Sequence, residues 1–485
     1  MKRVLRDLLY NLKYVDILGS TDLRISQPCI NSVNVVESSL FVALRGVNND
    51  GHDFISHAIS LGANSVLCES LPKDLEKKIT YILVNDSASA LSLISSNFFN
   101  NPSSKIKVIG ITGTNGKTST TYYLASLFRK LNYKVGLIST IAYQIDLLTF
   151  SSTHTTPNAI VLNELLSKMV QAGCDYCFME VSSHGISQKR ISGLDFDLAV
   201  FTNISRDHLD YHTTFDNYLA TKKNFFDHLS HQAKSIINID DPYGSFMVHD
   251  SKSKKVFYST KKQSHYNATL LQSEISGLVI NIDGNEICTT LAGDFNIYNL
   301  LATYSVAIEL GQNKLQVLKF LSAILPVPGR FNTIKSNNGI FGIVDYAHTP
   351  DALIQVISSI SNFSNPTKDL IIVIGCGGNR DQGKRADMAK IASENSRISI
   401  FTSDNPRLEN PENILSDMLQ GVADGHQNKV KKIVDREAAI YFAVKAATKG
   451  SIILVAGKGH ETYQDINGQK IPFDDYKILK KFLKK

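Results

Sequence analysis

Beyond the first hundred residues, short apolar runs recur along the chain, and each stops abruptly at polar, glycine-rich or acidic positions. Residues 108–111 run into Thr112-Gly113-Thr114-Asn115, 177–179 into Glu180, and 198–201 into Thr202-Asn203. Ile343-Val344 ends at Asp345, 371–374 at Gly375, 398–401 just before Ser403-Asp404, and 452–455 just before Gly457. Near-continuous apolar strands separated by helical lengths predict parallel sheets covered on both faces. Ligands of such sheets bind beyond the carboxyl ends of the strands. The polar residues that stop each run are therefore the first candidates for chemistry.

The first hundred residues predict a smaller α/β unit. An apolar strand at 39–44 leads into a polar loop at 45–53, and a helical stretch at 54–61 stops at Gly62. Turn chemistry at Asn100-Asn101-Pro102-Ser103-Ser104 and rigid residues at Pro326-Val327-Pro328-Gly329-Arg330 mark two boundaries. The expected fold is α/β in three domains: a small N-terminal α/β domain at 1–102, a central P-loop ATPase-like parallel-sheet domain at 103–330, and a C-terminal Rossmann-like domain at 331–485. A length of 485 residues agrees with that division.

Composition narrows the class. With 43% hydrophobic and 20% charged residues the chain is globular rather than disordered or fibrous. The net charge of +6 is too small to argue for nucleic acid but suits anionic small ligands. The basic stretch 252–262 has only Phe257-Tyr258 as a stacking platform and reads as a solvated surface segment. Six cysteines are scattered; Cys174 and Cys177 have no second pair at ligand spacing and read as buried thiols. The start of the chain lacks a signal-peptide core, and no run approaches the ~18 apolar residues of a membrane span. The lysine-rich end, 477–485, predicts a terminal helix whose cations complement its dipole. A soluble, cytoplasmic protein is expected.

Gly113-Thr114-Asn115-Gly116-Lys117-Thr118 follows a strand and opens a predicted helix at 119–131. Backbone N–H groups of such a loop cradle phosphates, with Lys117 reaching the outer phosphates and Thr118 a Mg2+. The strict G-x-x-x-x-G-K-[ST] spacing is not met, because Ile111 stands at its first position. Nucleotide binding is expected, while kinase, switch and ligase stay open. Downstream, Glu180 occupies a strand end suited to a Mg2+-directed carboxylate. The stretch 203–212 is dense in oxygen and nitrogen donors, and Lys222 shares a helical face with Tyr218. The glycine-rich loop 375–385 has backbone N–H groups and arginines suited to an anion.

On these residues the sequence resembles the Mur ligase family, ATP-dependent enzymes that build the peptide stem of peptidoglycan. Thr112-Gly113-Thr114-Asn115-Gly116-Lys117-Thr118 is similar to the family's variant phosphate loop. Glu180-Val181-Ser182-Ser183-His184-Gly185, Asp207-His208-Leu209-Asp210-Tyr211-His212, Gly293-Asp294-Phe295-Asn296, Pro328-Gly329-Arg330 and Val344-Asp345-Tyr346-Ala347-His348-Thr349-Pro350-Asp351 match further family blocks in order. The resemblance runs from about residue 41 to 464.

It implies that the γ-phosphoryl group of ATP passes to a substrate carboxylate and that an amine attacks the acyl phosphate, releasing an amide, ADP and phosphate. Lys117, Lys222 and His208 are then catalytic. Gly113 to Ser119 hold the phosphates, and Asn296, Arg330 and Asp345 the adenine and ribose. Mg2+ falls to Thr118, Glu180, His208 and Lys222, the last as a carbamate. The nucleotide-sugar peptide falls to His154, Thr155, Thr156, Ser182, Gln188 and Arg190. Its UDP end falls to Ser32 and the loop Val47-Asn48-Asn49, where Asn31-Ser32-Val33 departs from the usual Asp-Ser-Arg.

Asp404-Asn405-Pro406-Arg407 resembles the recognition motif of members that add meso-diaminopimelate. That amino acid differs from lysine by a distal carboxylate, which Arg407 can bind bidentately. Asn405, Gly457 and Glu461 orient the remaining groups, and Arg385 completes the clamp. The expected reaction is addition of meso-diaminopimelate to UDP-N-acetylmuramoyl-L-alanyl-D-glutamate by a monomer, with L-lysine as the alternative amine. Neither nucleic acid nor membrane insertion is expected. A folylpolyglutamate-type synthetase shares the ATP core but lacks the paired 404–407 and 457–461 motifs.

Overall fold

In the computed structural model, which describes residues 2–46 and 49–484, the strands gather into three larger sheets. The first holds Asp16–Leu18, Thr80–Leu83, Ala63–Cys68, Ser39–Val42 and Pro28–Cys29 in that order, parallel except for its first pair. Its closing helix, Ser87–Phe98, is started by Asp86, whose carboxylate accepts the Ser89 N–H. Asn100 and Asn101 then both take left-handed backbone conformations ahead of Pro102, so the chain turns out of the unit where turn chemistry predicts.

The central sheet has eleven strands. Its middle is parallel: Val135–Ile138, Tyr176–Glu180, Lys107–Thr112, Leu198–Phe201, Lys234–Asn238 and Lys254–Ser259 lie side by side. Both faces are covered, which explains the unbroken apolar runs. Lys117–Lys130 and Asn296–Glu309 pack on one face around Phe128, Phe178 and Tyr304. Ala159–Gln171 and Phe215–Asp227 pack on the other around Met169 and Phe226.

The sheet departs from the parallel expectation at both edges. Ala142–Ile145 and Leu148–Ser151 form an antiparallel hairpin at one, and Tyr266–Glu274, Gly277–Ile282 and Asn285–Thr289 a meander at the other. Gly277–Ile282 alternates half-exposed and buried positions, the signature of a strand covered on one face only. Rules tuned to doubly buried strands pass over it. The basic stretch 252–262 is also corrected, since Lys254–Ser259 is an internal strand with Val256, Tyr258 and Ser259 buried. Its lysines stand at strand ends. Cys174 and Cys177 are buried free thiols.

The C-terminal sheet runs Asn332–Lys335, Phe341–Asp345, Ile452–Ala456, Leu370–Ile374, Ile398–Phe401 and Val430–Lys432, parallel after its first pair. The terminal helix Asp475–Leu483 lays Leu479 and Leu483 on it. Among the described residues no helix is long and apolar enough to cross a membrane.

The connection between the second and third sheets is pinned by backbone contact. Gly329 has φ +68, and a Cβ there would stand 2.0 Å from the His460 nitrogen. Two residues on, Phe331 is also left-handed, and its N–H is held by the Asp345 carboxylate at 2.7 Å. Gly311 also has positive φ but faces open space. Gly311→Ala should therefore cost only the left-handed penalty, about 1–2 kcal/mol. Gly329→Ala should cost distinctly more, because backbone must also move. Thermal unfolding of the two variants compares them directly; equal shifts would mean that Gly329 is not tightly seated.

Candidate active site

The strand Lys107–Thr112 ends in the phosphate loop, between the ends of Tyr176–Glu180 and Leu198–Phe201. Gly116 opens the helix Lys117–Lys130 at φ +85, where a Cβ would meet Asn299 Oδ1 at 2.6 Å. Only glycine serves there. Lys117 Nζ donates to the carbonyls of Gly113 (2.7 Å) and Thr114 (2.8 Å). Thr118 Oγ1 donates to Glu180 Oε2 at 3.0 Å, and the buried Glu180 also accepts the Thr140 N–H (2.8 Å) and hydroxyl (3.2 Å).

Lys222 comes from the helix Phe215–Asp227 and is 1% exposed. Its Nζ donates to the same Gly113 carbonyl at 2.9 Å and lies 4.8 Å from the centre of the Tyr218 ring. Burial, and then the charge of Lys117, push its pKa well below the ordinary lysine value. Two buried ammonium groups on one carbonyl repel, and burial lowers the pKa of Lys117 as well. His208 sits at the start of the short helix Leu209–His212, its ring 5.0 Å from that of His184.

The C-terminal domain reaches across to this loop. Arg330 donates to Thr118 Oγ1 at 3.3 Å and stacks its guanidinium 4.5 Å from the Tyr346 ring centre. Asp345 accepts the N–H groups of Phe331 and Ala347, and burial raises its pKa against the pull of Arg330. Asp351 accepts from Asn115 Nδ2 (3.2 Å) and Ser205 Oγ (2.7 Å), joining the domains beside the phosphates' seat.

Between these walls lies a cavity of about 860 Å3, lined by residues 114–119, Glu180, His208, Lys222, Arg330 and Asp345. Thr155, Thr156, Ser182 and Arg190 line its far side. Arg190 donates to the Thr156 carbonyl at 2.5 Å, and Gln188 Oε1 accepts two bonds from the same guanidinium. Gln188 therefore acts through Arg190. Ser182 caps the helix Ser183–Ser187 and Thr156 ties it to the Glu180 carbonyl.

Glu461 brings the amino-acid end into the same cavity. Its Oε2 accepts from Asn405 Nδ2 (2.7 Å) and from the fully buried Lys458 (2.9 Å). Arg407, at φ 53, donates to the Gly378 carbonyl at 2.7 Å. Asp404 and Gly457 face each other, since a Cβ on Gly457 would meet Asp404 Oδ2 at 2.6 Å. Pro406 takes its place through the backbone: its carbonyl packs on Gly378.

Asn296, Arg385 and Ser32 are not among the residues that line the cavity, nor are Asp404, Asn405, Pro406, Arg407 and Gly457. Asn296 is buried with its amide spent on Ala292, Asn299 and Tyr123; Phe295 and Asn299 line the cavity instead. Arg385 is 1% exposed and its fork is taken by Glu409 and Asp417, both at 2.8 Å. Its two terminal nitrogens brace the loop, and its buried Nε has no partner. Ser32 lies in the N-terminal domain with His57 Nδ1 3.1 Å from its hydroxyl, outside the cavity lining. Val47 and Asn48 fall outside the described residues.

Sequence reasoning missed Thr140, Asn299 and Lys470 on the cavity wall, and named Arg380 and Asp351 only within longer motifs. Thr140 carried a usable signal, standing just past the apolar strand Val135–Ile138. The others have none without the fold. The oxygens of Thr118 and Glu180 suit a hard cation such as Mg2+. An amine that donates, as Lys222 does here, is no metal ligand until it is converted to a carbamate.

Burial holds the imidazoles of His212 and His348 down to about 4 and that of His460 to about 3. These rings are neutral in the fold and take up protons on unfolding once pH drops below about 6.5. The unfolded chain then binds more protons, so stability present above pH 6.5 is lost as pH falls towards 4. Thermal unfolding of the ligand-free protein should come at lower temperature at about pH 5 than at pH 7.5, and less so in His348→Gln. An unfolding temperature that is flat across this window would show that the rings are solvated.

Three family models match the chain: the Mur ligase family catalytic domain at residues 24–99, the Mur ligase middle domain at 111–307 and the Mur ligase glutamate ligase domain at 329–459. A UDP-N-acetylmuramoyl-L-alanyl-D-glutamate–2,6-diaminopimelate ligase of Cytophaga hutchinsonii is 48% identical over 99% of both chains. One of the same name from Bacteroides fragilis is 46% identical over 98% of both. A solved structure of a ligase of that name superposes with a TM-score of 0.69 at 30% identity, over 100% of this chain and 99% of its own. Together with a phosphate loop, a strand-end glutamate and a buried lysine gathered at one cavity, these likenesses place the chain in the Mur ligase family.

Proposed function

We propose that the chain is an ATP-dependent ligase that adds meso-diaminopimelate to UDP-N-acetylmuramoyl-L-alanyl-D-glutamate, giving the UDP-muramoyl tripeptide, ADP and phosphate. The observation that carries this is the single cavity onto which both the phosphate loop and Glu461 open. In the first step the bond from the γ-phosphorus to the ADP oxygen breaks, and one forms to a substrate carboxylate oxygen. In the second the diaminopimelate nitrogen attacks the acyl carbon, the carbon–oxygen bond to phosphate breaks, and the nitrogen loses a proton. Bringing two anions together is the main obstacle, so placed positive charge does most of the work.

Gly113, Thr114, Asn115, Gly116, Thr118 and Ser119 present backbone and hydroxyl donors to the phosphates, and Lys117 meets the outer ones. Arg330, at the end of the central domain, and Asp345, from the C-terminal domain, hold the nucleotide. Thr118, Glu180, His208 and a carbamylated Lys222 would hold Mg2+, which supplies further neutralising charge when bound. Lys222 suits that modification because its burial favours the neutral amine: the lone pair attacks CO2, a nitrogen–carbon bond forms, and a proton leaves. The product is an anion beside Lys117, which turns a repulsive pair into an attractive one.

Arg190, braced by Gln188, with Thr155, Thr156 and Ser182, suits the acidic muramoyl dipeptide. Ser32 remains our choice for the UDP end. Arg407 suits the distal carboxylate of diaminopimelate, and Glu461 with Asn405 its ammonium group; lysine offers Arg407 only another cation. Domain limits at 102 and 330, a monomer and a cytoplasmic location complete the reading. Closure of the C-terminal domain over the nucleotide would exclude water from the acyl phosphate.

Lys222→Ala should fold and lose most turnover, and a short carboxylic acid should partly restore it by replacing the carbamate. Full activity without rescue removes Lys222 from the mechanism. Arg407→Ala tests the amine. Leaving a bidentate carboxylate unpaired in a closed site costs about 2–5 kcal/mol, or roughly 30- to several-thousand-fold in kcat/KM for diaminopimelate. It should not create a good lysine ligase, since no new contact is built. Wild-type preference for lysine, or an unchanged ratio in the variant, would sink the substrate assignment and leave the ligase standing.

A further inference from the structure

Arg436 and Asp475 form an ion pair that is 0% exposed on both sides, the most deeply buried one in the C-terminal domain among the described residues. Each opens a helix, Arg436–Ala446 and Asp475–Leu483, and both helices lie on the C-terminal sheet. The pairing is bidentate, with Nε and Nη2 each 2.8 Å from a carboxylate oxygen. The remaining donors leave the pair. Nη2 reaches the Ala456 carbonyl at 3.0 Å, and Nη1 approaches the Ser403 carbonyl at 3.5 Å.

Those two carbonyls immediately precede Gly457 and Asp404. Ala456 ends one strand and Ser403 stands two residues past the end of another, where the two segments assigned to the amino acid begin. Gln464 adds a second tie on the same side, donating to the carbonyls of Ser403 (3.3 Å) and Asp404 (2.9 Å). A buried ion pair is often no more stabilising than apolar side chains of the same volume. Stability alone is therefore a weak reason for its presence. A lysine would not serve, because only a planar five-donor fork reaches a carboxylate and two separate carbonyls at once.

We propose that Arg436, locked by Asp475, is a positioning residue that sets the spacing between the 404–407 and 457–461 segments, and so the fit of diaminopimelate. It touches no substrate. This rests on the amino-acid site proposed above and goes beyond it, since it places a determinant of amine binding behind the cavity and at the root of the C-terminal helix.

The test uses the full-length enzyme carrying Arg436→Met with Asp475→Leu, which removes both charges and keeps volume, and separately Arg436→Lys and Asp475→Asn. KM and kcat are measured for ATP, the nucleotide-sugar dipeptide and diaminopimelate. Small misplacements of a binding group cost up to about 100-fold, so KM for diaminopimelate should rise about 10- to 100-fold while the other two stay within about twofold. The unfolding temperature of the double variant should remain close to wild type. A wild-type KM for diaminopimelate in any folded variant, or an equal loss for all three substrates, overturns the proposal. Should the double variant not fold, the nearly isosteric Asp475→Asn carries the same comparison. If the wild-type enzyme itself uses no diaminopimelate, the assigned function fails and not the positioning.

Discussion

Two lysines converge on one backbone carbonyl, that of Gly113, and the rest of the active site is arranged around that constraint. Joining a phosphoryl group to a carboxylate needs concentrated positive charge away from water. Buried positive charges repel each other, so two cannot simply be stacked. Burial lowers the pKa of Lys117, and the charges of Glu180 and Asp207 oppose that shift. Lys222 has a weaker share of that support and is driven towards the neutral amine. On the proposed reading, the same burial that disfavours the Lys222 cation would free its lone pair for CO2.

That convergence is possible because two parallel sheets present their carboxyl edges to a shared space. The central sheet contributes the phosphate loop, Glu180 and the segment through His208. The C-terminal sheet contributes Asp345, the 404–407 segment and Glu461. Each edge lies where right-handed crossovers leave a crevice. The connection between the sheets is stiff rather than slack: Gly329 packs backbone to backbone on 459–460, and Asp345 fixes the residue after Arg330. Arg330 therefore has little freedom, and its contact with Thr118 reports the position of one domain to the other. Asp351 adds a second report through Asn115 and Ser205.

The features legible in the sequence are those whose signal is local. Apolar runs ending in polar residues located Glu180, Asp345 and Gly457 at strand ends, and Lys222 and Tyr218 share a helical face as their spacing requires. The edge hairpins were not legible, because one-sided burial leaves an alternating pattern that a search for doubly buried strands ignores. Arg385 and Asn296 are placed in the cavity by motif alone, and tertiary partners decide otherwise. Glu409 and Asp417 take the arginine, and Ala292 and Asn299 take the amide. Asp351 shows the converse. As an acidic residue in the first turn of Pro350–Ser361 it reads as a dipole-matching charge, and only the fold brings it to Asn115.

The segment to which we assign amine choice is strained as well as charged. Arg407 adopts a left-handed backbone, uncommon for a residue with a long side chain. The conformation is held from both sides: Arg407 donates its N–H to the Asp465 carbonyl at 2.9 Å and accepts the Asn467 N–H at 2.7 Å. These partners belong to the hairpin Tyr463–Ile466 and Gln469–Pro472, whose Lys470 lines the cavity. The guanidinium is seated against the glycine loop, where a Cβ on Gly377 would come within 2.9 Å of it. Strain of this kind persists only where surrounding structure over-determines it. The arginine is held by a hairpin and a glycine loop that lie far apart in the chain. On the proposed reading, selectivity for a second carboxylate belongs to the way the C-terminal domain is assembled, and a lysine-specific relative would have to rebuild that support as well as exchange one side chain.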